Sequence, residues 1–304
     1  MQAGKKLYIV LGTVSVASVL ALVFFLGQTQ EALPNVNYHP SLFTEHASKI
    51  EKSINEISTL ESINLKEAYG GVVSHHMPTT IPMLAEFYSR LKQTRDVKTF
   101  IVIGPDHVDA GRSDITISEA EFATPFGPLT VNSEIVKGLE KTGLVSHDEQ
   151  AFRQDHSIHT QLPFIKKLFP EAKIVPIVFR SSTTNEFART FGKVIGEYLN
   201  QETFLVASVD FTHYLAEDQA RPVDELSANI LRETNSLSAG FAEADSPQAM
   251  SAFIAALESK NANFTESISI YNTADFSDNR DFTTGYVTGY WGMGSQVAGE
   301  SDEN

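Results

Sequence analysis

Four short apolar runs constrain this chain more than any other feature. Residues 70–74 (Gly-Gly-Val-Val-Ser), 99–104 (Thr-Phe-Ile-Val-Ile-Gly), 173–179 (Lys-Ile-Val-Pro-Ile-Val-Phe) and 203–208 (Thr-Phe-Leu-Val-Ala-Ser) are too short for helices and carry β-branched residues. Their apolar positions are continuous rather than alternating, the pattern of strands covered on both faces. Three of the runs lead into segments with apolar residues at helical spacing: 81–91, where Leu84, Phe87, Tyr88 and Leu91 share a face, then 186–198 and 222–235. Buried strands alternating with amphipathic helices predict an α/β fold, with a mostly parallel central sheet and helices on both faces. Residues 46–65 add a surface helix, with Ile50, Ile54, Ile57 and Leu60 on one side. Pro125, Gly127 and Pro128 make 122–131 a hairpin or irregular loop, and 267–271 and 285–291 read as late strands that close the sheet.

The 304 residues, 42% of them hydrophobic, suffice for one large domain with a full core. The expected division is 1–30 for cytoplasmic lysines and a membrane anchor, 31–45 for a linker, 46–294 for the α/β domain and 295–304 for a disordered acidic tail. The anchor rests on residues 7–26, a stretch of 20 without a charge, preceded by Lys5 and Lys6. That length spans a bilayer as one N-terminal transmembrane helix. The lysines place the domain on the extracytoplasmic side of a single-pass membrane protein. An uncleaved anchor is favoured over a signal peptide, because a signal peptide's apolar core runs to roughly 15 residues at most and a small-x-small cleavage site should follow it. A net charge of −15 argues against a nucleic-acid partner. The absence of cysteine excludes thiolate chemistry and Cys-based zinc sites.

Three of the runs end on turns that carry histidine. His75 follows 70–74, His107 follows 99–104 through Pro105 and Asp106, and His213 follows 203–208 through Val209, Asp210, Phe211 and Thr212. Ligands of open α/β sheets bind beyond the carboxyl ends of the strands, so these imidazoles are expected to gather at one sheet edge. His156, in Asp-His-Ser-Ile-His, is a fourth candidate. Imidazole is the commonest metal ligand and a general base near neutral pH, which makes the group a candidate site. His76 would point away from His75 on an extended chain, so only one of them faces a given ion. Asp210 is a ligand, an orienting partner or a helix cap, and Asp106 an orienting carboxylate or a turn cap. His39, His46 and His147 read as loop residues satisfied by backbone groups, and Tyr214, Tyr286 and Trp291 as core or rim aromatics.

At these positions the sequence resembles the Memo family, which includes protein B of the AmmeMemoRadiSam system. The matching segments are Val73-Ser74-His75, Ile103-Gly104-Pro105-Asp106-His107, Thr124-Pro125-Phe126-Gly127-Pro128-Leu129, Asp155-His156-Ser157-Ile158-His159-Thr160-Gln161-Leu162-Pro163-Phe164, Val175-Pro176-Ile177-Val178 and Ser208-Val209-Asp210-Phe211-Thr212-His213. The resemblance implies a fold shared with the class III extradiol dioxygenases, which cleave catechols with non-haem Fe(II). It implies that His75 and His107 bind a metal and that His156 and His213 line the same pocket. Iron is the implied divalent metal, with copper also associated with animal members; imidazole with carboxylate equally suits zinc. Animal members add a cysteine ligand from a segment after the His213 region, whereas this chain has no cysteine and is shorter between residues 249 and 267. His159, which stands where the family usually has Glu, is one candidate third ligand; Asp210 and His76 are others, and water completing a two-histidine site is the remaining option.

Two functions follow as expectations. The first is a membrane-anchored, metal-dependent oxidoreductase of dioxygenase type acting on a small-molecule substrate, with His156 and His213 as acid–base groups. The second is a non-catalytic metal- or ligand-binding protein acting with a protein partner, which the missing third ligand favours. A zinc hydrolase ranks below both, since no hydrolase motif accompanies the histidines.

Overall fold

The computed structural model describes residues 38–57 and 63–293. The apolar stretch at 7–26, the end of the surface helix around Leu60 and the tail at 295–304 lie outside the described residues, among which no helix is long and apolar enough to cross a membrane.

In chain order the strands are β1 (Tyr38–His39), β2 (Ala68–Val73), β3 (Thr99–Pro105), β4 (Ile115–Ile117), β5 (Glu121–Phe122), β6 (Ser146–His147), β7 (Lys173–Phe179), β8 (Thr203–Ser208), β9 (His213–Leu215), β10 (Phe264–Asn272) and β11 (Thr283–Gly292). One nine-stranded sheet runs β10-β11-β2-β8-β3-β7-β4-β6, with β9 beside β11, and β1 pairs with β5 apart from it. Its centre is the four apolar runs, β2, β8, β3 and β7, all parallel. Both flanks turn antiparallel, β4 against β7 and β11 against β2 and β10, so the sheet is mixed rather than mostly parallel. Residues 273–282 between β10 and β11 are too few for the crossover of a dozen or more residues that a parallel pair needs.

The helices are α1 (Ala47–Glu56), α2 (Ile81–Thr94), α3 (Ser133–Glu140), α4 (His156–His159), α5 (Leu162–Leu168), α6 (Asn185–Tyr198), α7 (Glu217–Arg232), α8 (Ser236–Ala239) and α9 (Pro247–Ser259). They cover both faces of the sheet, and two glycines on β2 show how closely. A Cβ on Gly70 would meet the Phe253 ring of α9 at 2.8 Å, and one on Gly71, pointing the other way, would meet the Phe87 ring of α2 at 2.6 Å. The sequence gives no periodic signal for α9, because every position from 249 to 257 is buried and the helix has no polar face. Residues 122–131 form the expected hairpin: Phe122 and Leu129 exchange both backbone bonds around a turn in which Gly127 takes φ 112°.

Gly71→Ala forces a methyl into the Phe87 ring and is expected to lower the unfolding free energy by about 1–3 kcal/mol, measured by urea denaturation. Wild-type stability in this variant would contradict the close packing on β2.

Candidate metal centre

β8 lies between β2 and β3, with Val73 paired to Ser208 and Ile103 to Ala207. The turns carrying His75, His107 and Asp210 therefore leave the sheet side by side at its carboxyl edge. His75 is buried, and its Nδ1 donates to the Ser208 carbonyl at 3.1 Å, which turns Nε2 inward. His107 is oriented by Asp155, whose Oδ2 accepts from both the His107 backbone N–H (2.7 Å) and Nδ1 (2.9 Å). The other oxygen of Asp155 caps α4 by accepting from Ser157 N–H at 2.8 Å. Gly104 makes room for this segment, since a Cβ there would come within 2.9 Å of Ser157 Cβ and Oγ. One carboxylate thus orients His107 and starts the helix that carries His156.

Three rings meet as a result. The His75 centroid lies 4.9 Å from that of His107 and 5.0 Å from that of His156, both edge-on, and His107 stacks on His156 at 4.3 Å. Ligand atoms of His75, His107 and His156 fall within 4.8 Å of one another, as do those of His75, Asp210 and Asp245. Asp245, just before α9, is the residue that sequence reasoning missed. Its Oδ2, itself shielded from solvent, lies 2.9 Å from His75 Nε2 and 3.6 Å from His107 Nε2 and pairs with these imidazoles alone.

The remaining candidates take other positions. Asp210 Oδ2 is 3.6 Å from His75 Nε2, while its Oδ1 accepts from the His75 N–H at 3.2 Å and from Ser74 Oγ, so it orients the His75 turn as well as facing its ring. His159 is buried apart from the centre, with Nε2 donating to the Phe152 carbonyl at 2.9 Å. The His76 ring turns to the Tyr286 hydroxyl, 2.6 Å from Nδ1. His213 lies partly exposed on β9, outside both convergent groups. Its segment is pinned by the buried Asp224, which accepts from Thr212 N–H (3.1 Å) and Oγ1 (3.0 Å). Asp106 caps its own loop through the N–H groups of Ala110 and Gly111.

Charge separates the rings into two classes. Burial opposes the cationic form of His75, but Asp210 and Asp245 outweigh it and push its pKa up to about 9. Burial is likewise outweighed at His107 by Asp155 and Asp245, which push it up to about 10. His156 moves the other way, to about 4, through burial and the positive charge on His75 and His107. Asp245 is held well below the usual carboxylate range against its burial, by His75 and His107. Asp155, Asp210 and Asp245 find ion-pair partners only in imidazoles, with no Lys or Arg among the described residues paired to them. Buried carboxylates need compensating charge, and a solvent-shielded carboxylate oxygen facing two imidazole nitrogens is a donor set that fits a divalent cation.

Residues 39–270 match the family model described as Memo-like protein. This chain belongs to the Memo-like protein family. It is 32% identical over 161 residues to a MEMO1 family protein of Methanopyrus kandleri, covering 51% of this chain and 56% of that one. It is 33% identical over 167 residues to one of Pyrobaculum aerophilum, covering 53% and 59% respectively, so the match spans somewhat over half the length of these relatives. The crystal structure of an uncharacterised Escherichia coli K12 protein aligns over 75% of this chain and 100% of that chain, at 13% identity and a TM-score of 0.47.

Two measurements follow from the charges. Protons on His75 and His107 compete with a metal below about pH 9, so binding at pH 7 should release about two protons, and affinity for Zn(II) should rise as pH increases toward 9. A chelator-competition series showing pH-independent affinity would contradict this. Burial raises Asp224 to about 6, so the stability linked to its proton is complete below the ordinary pKa near 3.8 and is lost as pH rises through 6. Asp224→Asn is then expected to exceed wild type at pH 7 by on the order of 1–3 kcal/mol and to lose that advantage at pH 4, read from thermal unfolding at both values.

Proposed function

We propose that this chain is a metal-dependent oxidoreductase of the non-haem iron dioxygenase type, with His75, His107 and Asp245 holding the ion and His156 and His213 serving as acid–base groups. The observation that supports it is the meeting of His75 Nε2, His107 Nε2 and Asp245 Oδ2, the carboxylate oxygen lying 2.9 and 3.6 Å from the two nitrogens. Two imidazoles and one carboxylate with open positions beside them are the donor set of non-haem Fe(II) oxygenases. Bound there, Fe(II) supplies Lewis acidity and a path for electrons between an organic substrate and dioxygen.

The chain's own residues do the rest. Ser208 and Asp155 fix the tautomers of His75 and His107 by accepting from their Nδ1 atoms. His156, whose ring stacks on that of the ligand His107 at 4.3 Å and is neutral at pH 7, is the group placed to take a proton from a substrate hydroxyl. His213, on the partly exposed β9, is suited to return a proton to product. A small molecule with two adjacent oxygen donors, such as a catechol, is the substrate class this arrangement favours. The uncharged stretch at 7–26 supports a membrane tether that leaves the domain on the extracytoplasmic side.

One observation favours a second reading. The ligand atoms of His156 lie within 4.8 Å of those of His75 and His107, and four protein donors would close the coordination sphere as in structural metal sites. The protein would then bind metal without turnover and act with a protein partner.

Anaerobic purification, metal analysis and oxygen uptake with a catechol panel separate the two. Asp245→Ala and His107→Ala are expected to weaken Fe(II) binding by at least about 100-fold in either case. His156→Ala keeps the iron and loses oxygen uptake if the first reading holds, and loses the iron if the second does. Full iron content in Asp245→Ala would overturn both.

A further inference from the structure

A second group of buried polar side chains lies outside the metal centre, and the acid–base assignments leave it unused. His39, on β1, is fully buried, as are Phe122 and Phe152, and His159 is 3% exposed. Their rings form a box. His39 lies 4.6 Å from Phe122, 6.1 Å from Phe152 and 6.1 Å edge-on from His159; Phe122 lies 5.2 Å from His159 and 6.0 Å from Phe152.

The polar edges of the box are fastened to one short turn. His39 Nε2 bonds to Glu149, which also accepts from Ser118 Oγ at 2.6 Å, from the Glu119 N–H at 3.0 Å and from His147. Three residues later the same turn offers the Phe152 carbonyl to His159 Nε2 at 2.9 Å. His159 is the last residue of α4, and His156, the ring that stacks on His107, is the first. A continuous path therefore runs from the N-terminal strand through Glu149 and Phe152 to the helix that carries His156. The strand is itself seated by the His39 carbonyl accepting from Ala123 N–H at 2.8 Å.

We infer that the N-terminal strand is a working part of the metal centre, with His39 and His159 as positioning residues that hold the His156 helix in register through the four-ring box. The inference rests on the proposed role of His156 but extends it to His39, Glu149, Phe152 and His159, which lie outside the proposed ligand and acid–base set. A stiff aromatic box suits the task because packed rings have few alternative arrangements, and a buried carboxylate with several donors fixes where the box sits. It also accounts for a buried histidine at 159 whose ring nitrogen is spent on a carbonyl rather than on the centre.

The test uses the full chain and two readouts. In the metal-free protein, stacking on His107 should shift the His156 ring protons upfield in the NMR spectrum; with Co(II) added, the visible spectrum reports donor geometry. His39→Leu is expected to remove most of the upfield shift and, through Asp155 at the start of the same helix, to move the Co(II) bands while Co(II) binding is retained. His39→Gln, whose amide can still donate to Glu149, should recover much of each. Phe122→Leu provides a milder opening of the box if His39→Leu does not fold. Ile195→Ala, buried on α6 and remote in sequence, should lower stability and leave the His156 signals in place. Unchanged His156 signals in both His39→Leu and Phe122→Leu, or an equal change in Ile195→Ala, would overturn the inference. Wild-type protein that shows the upfield shift but binds no Co(II) would refute the metal reading alone.

Discussion

Three carboxylates at the carboxyl edge of the sheet, Asp155, Asp210 and Asp245, face imidazoles as their only ion-pair partners among the described residues. That imbalance organises the site. Without a metal, His75 and His107 carry the compensating charge and their pKa values rise to about 9 and 10. With a divalent cation, the same carboxylates and deprotonated rings become a matched donor set. Either way charge joins the segments after β2, β3 and β8 to the one before α9, beside the apolar packing that Val209 and Phe211 supply.

The scaffold makes this arrangement reachable. Parallel strands deliver several turns to one edge at the spacing of neighbouring strands, and glycine permits the close approaches: Gly104 beneath Ser157, Gly70 and Gly71 beneath the rings of Phe253 and Phe87. Asp155 couples two parts of the centre, because the carboxylate that caps α4 also orients His107. The His156 helix is then supported from its far end, where His159 joins β1, β5 and the turn at Glu149.

Much of this is legible in the residues. The four central strands announce themselves as continuous apolar runs, and three histidines just past their ends or in the Asp-His-Ser-Ile-His segment come together as that pattern implies. The antiparallel flanks are not legible, because their direction depends on connection length and neighbours rather than on apolar pattern. Helix α9 is hidden by its own burial, which removes the polar face that periodicity needs. Asp245 sits in Ala-Glu-Ala-Asp-Ser, where acidic residues look like solvated loop; the one usable signal was the Ser-Pro that follows, marking a helix start. His39 and Glu149 are 110 positions apart, so no local spacing reveals their bond. His159 stands where the family usually has Glu and so reads as a candidate ligand, but it and His156 occupy opposite ends of α4 and meet different surroundings.

The central claim is that one ion is held jointly by His75, His107 and Asp245. Anomalous diffraction at the iron edge, from crystals of the Fe(II)-loaded chain grown without oxygen, tests it most directly. The account predicts a single peak bonded to Nε2 of both histidines and to a carboxylate oxygen of Asp245; a peak that leaves Asp245 unbound, or one seated at His159, would contradict it.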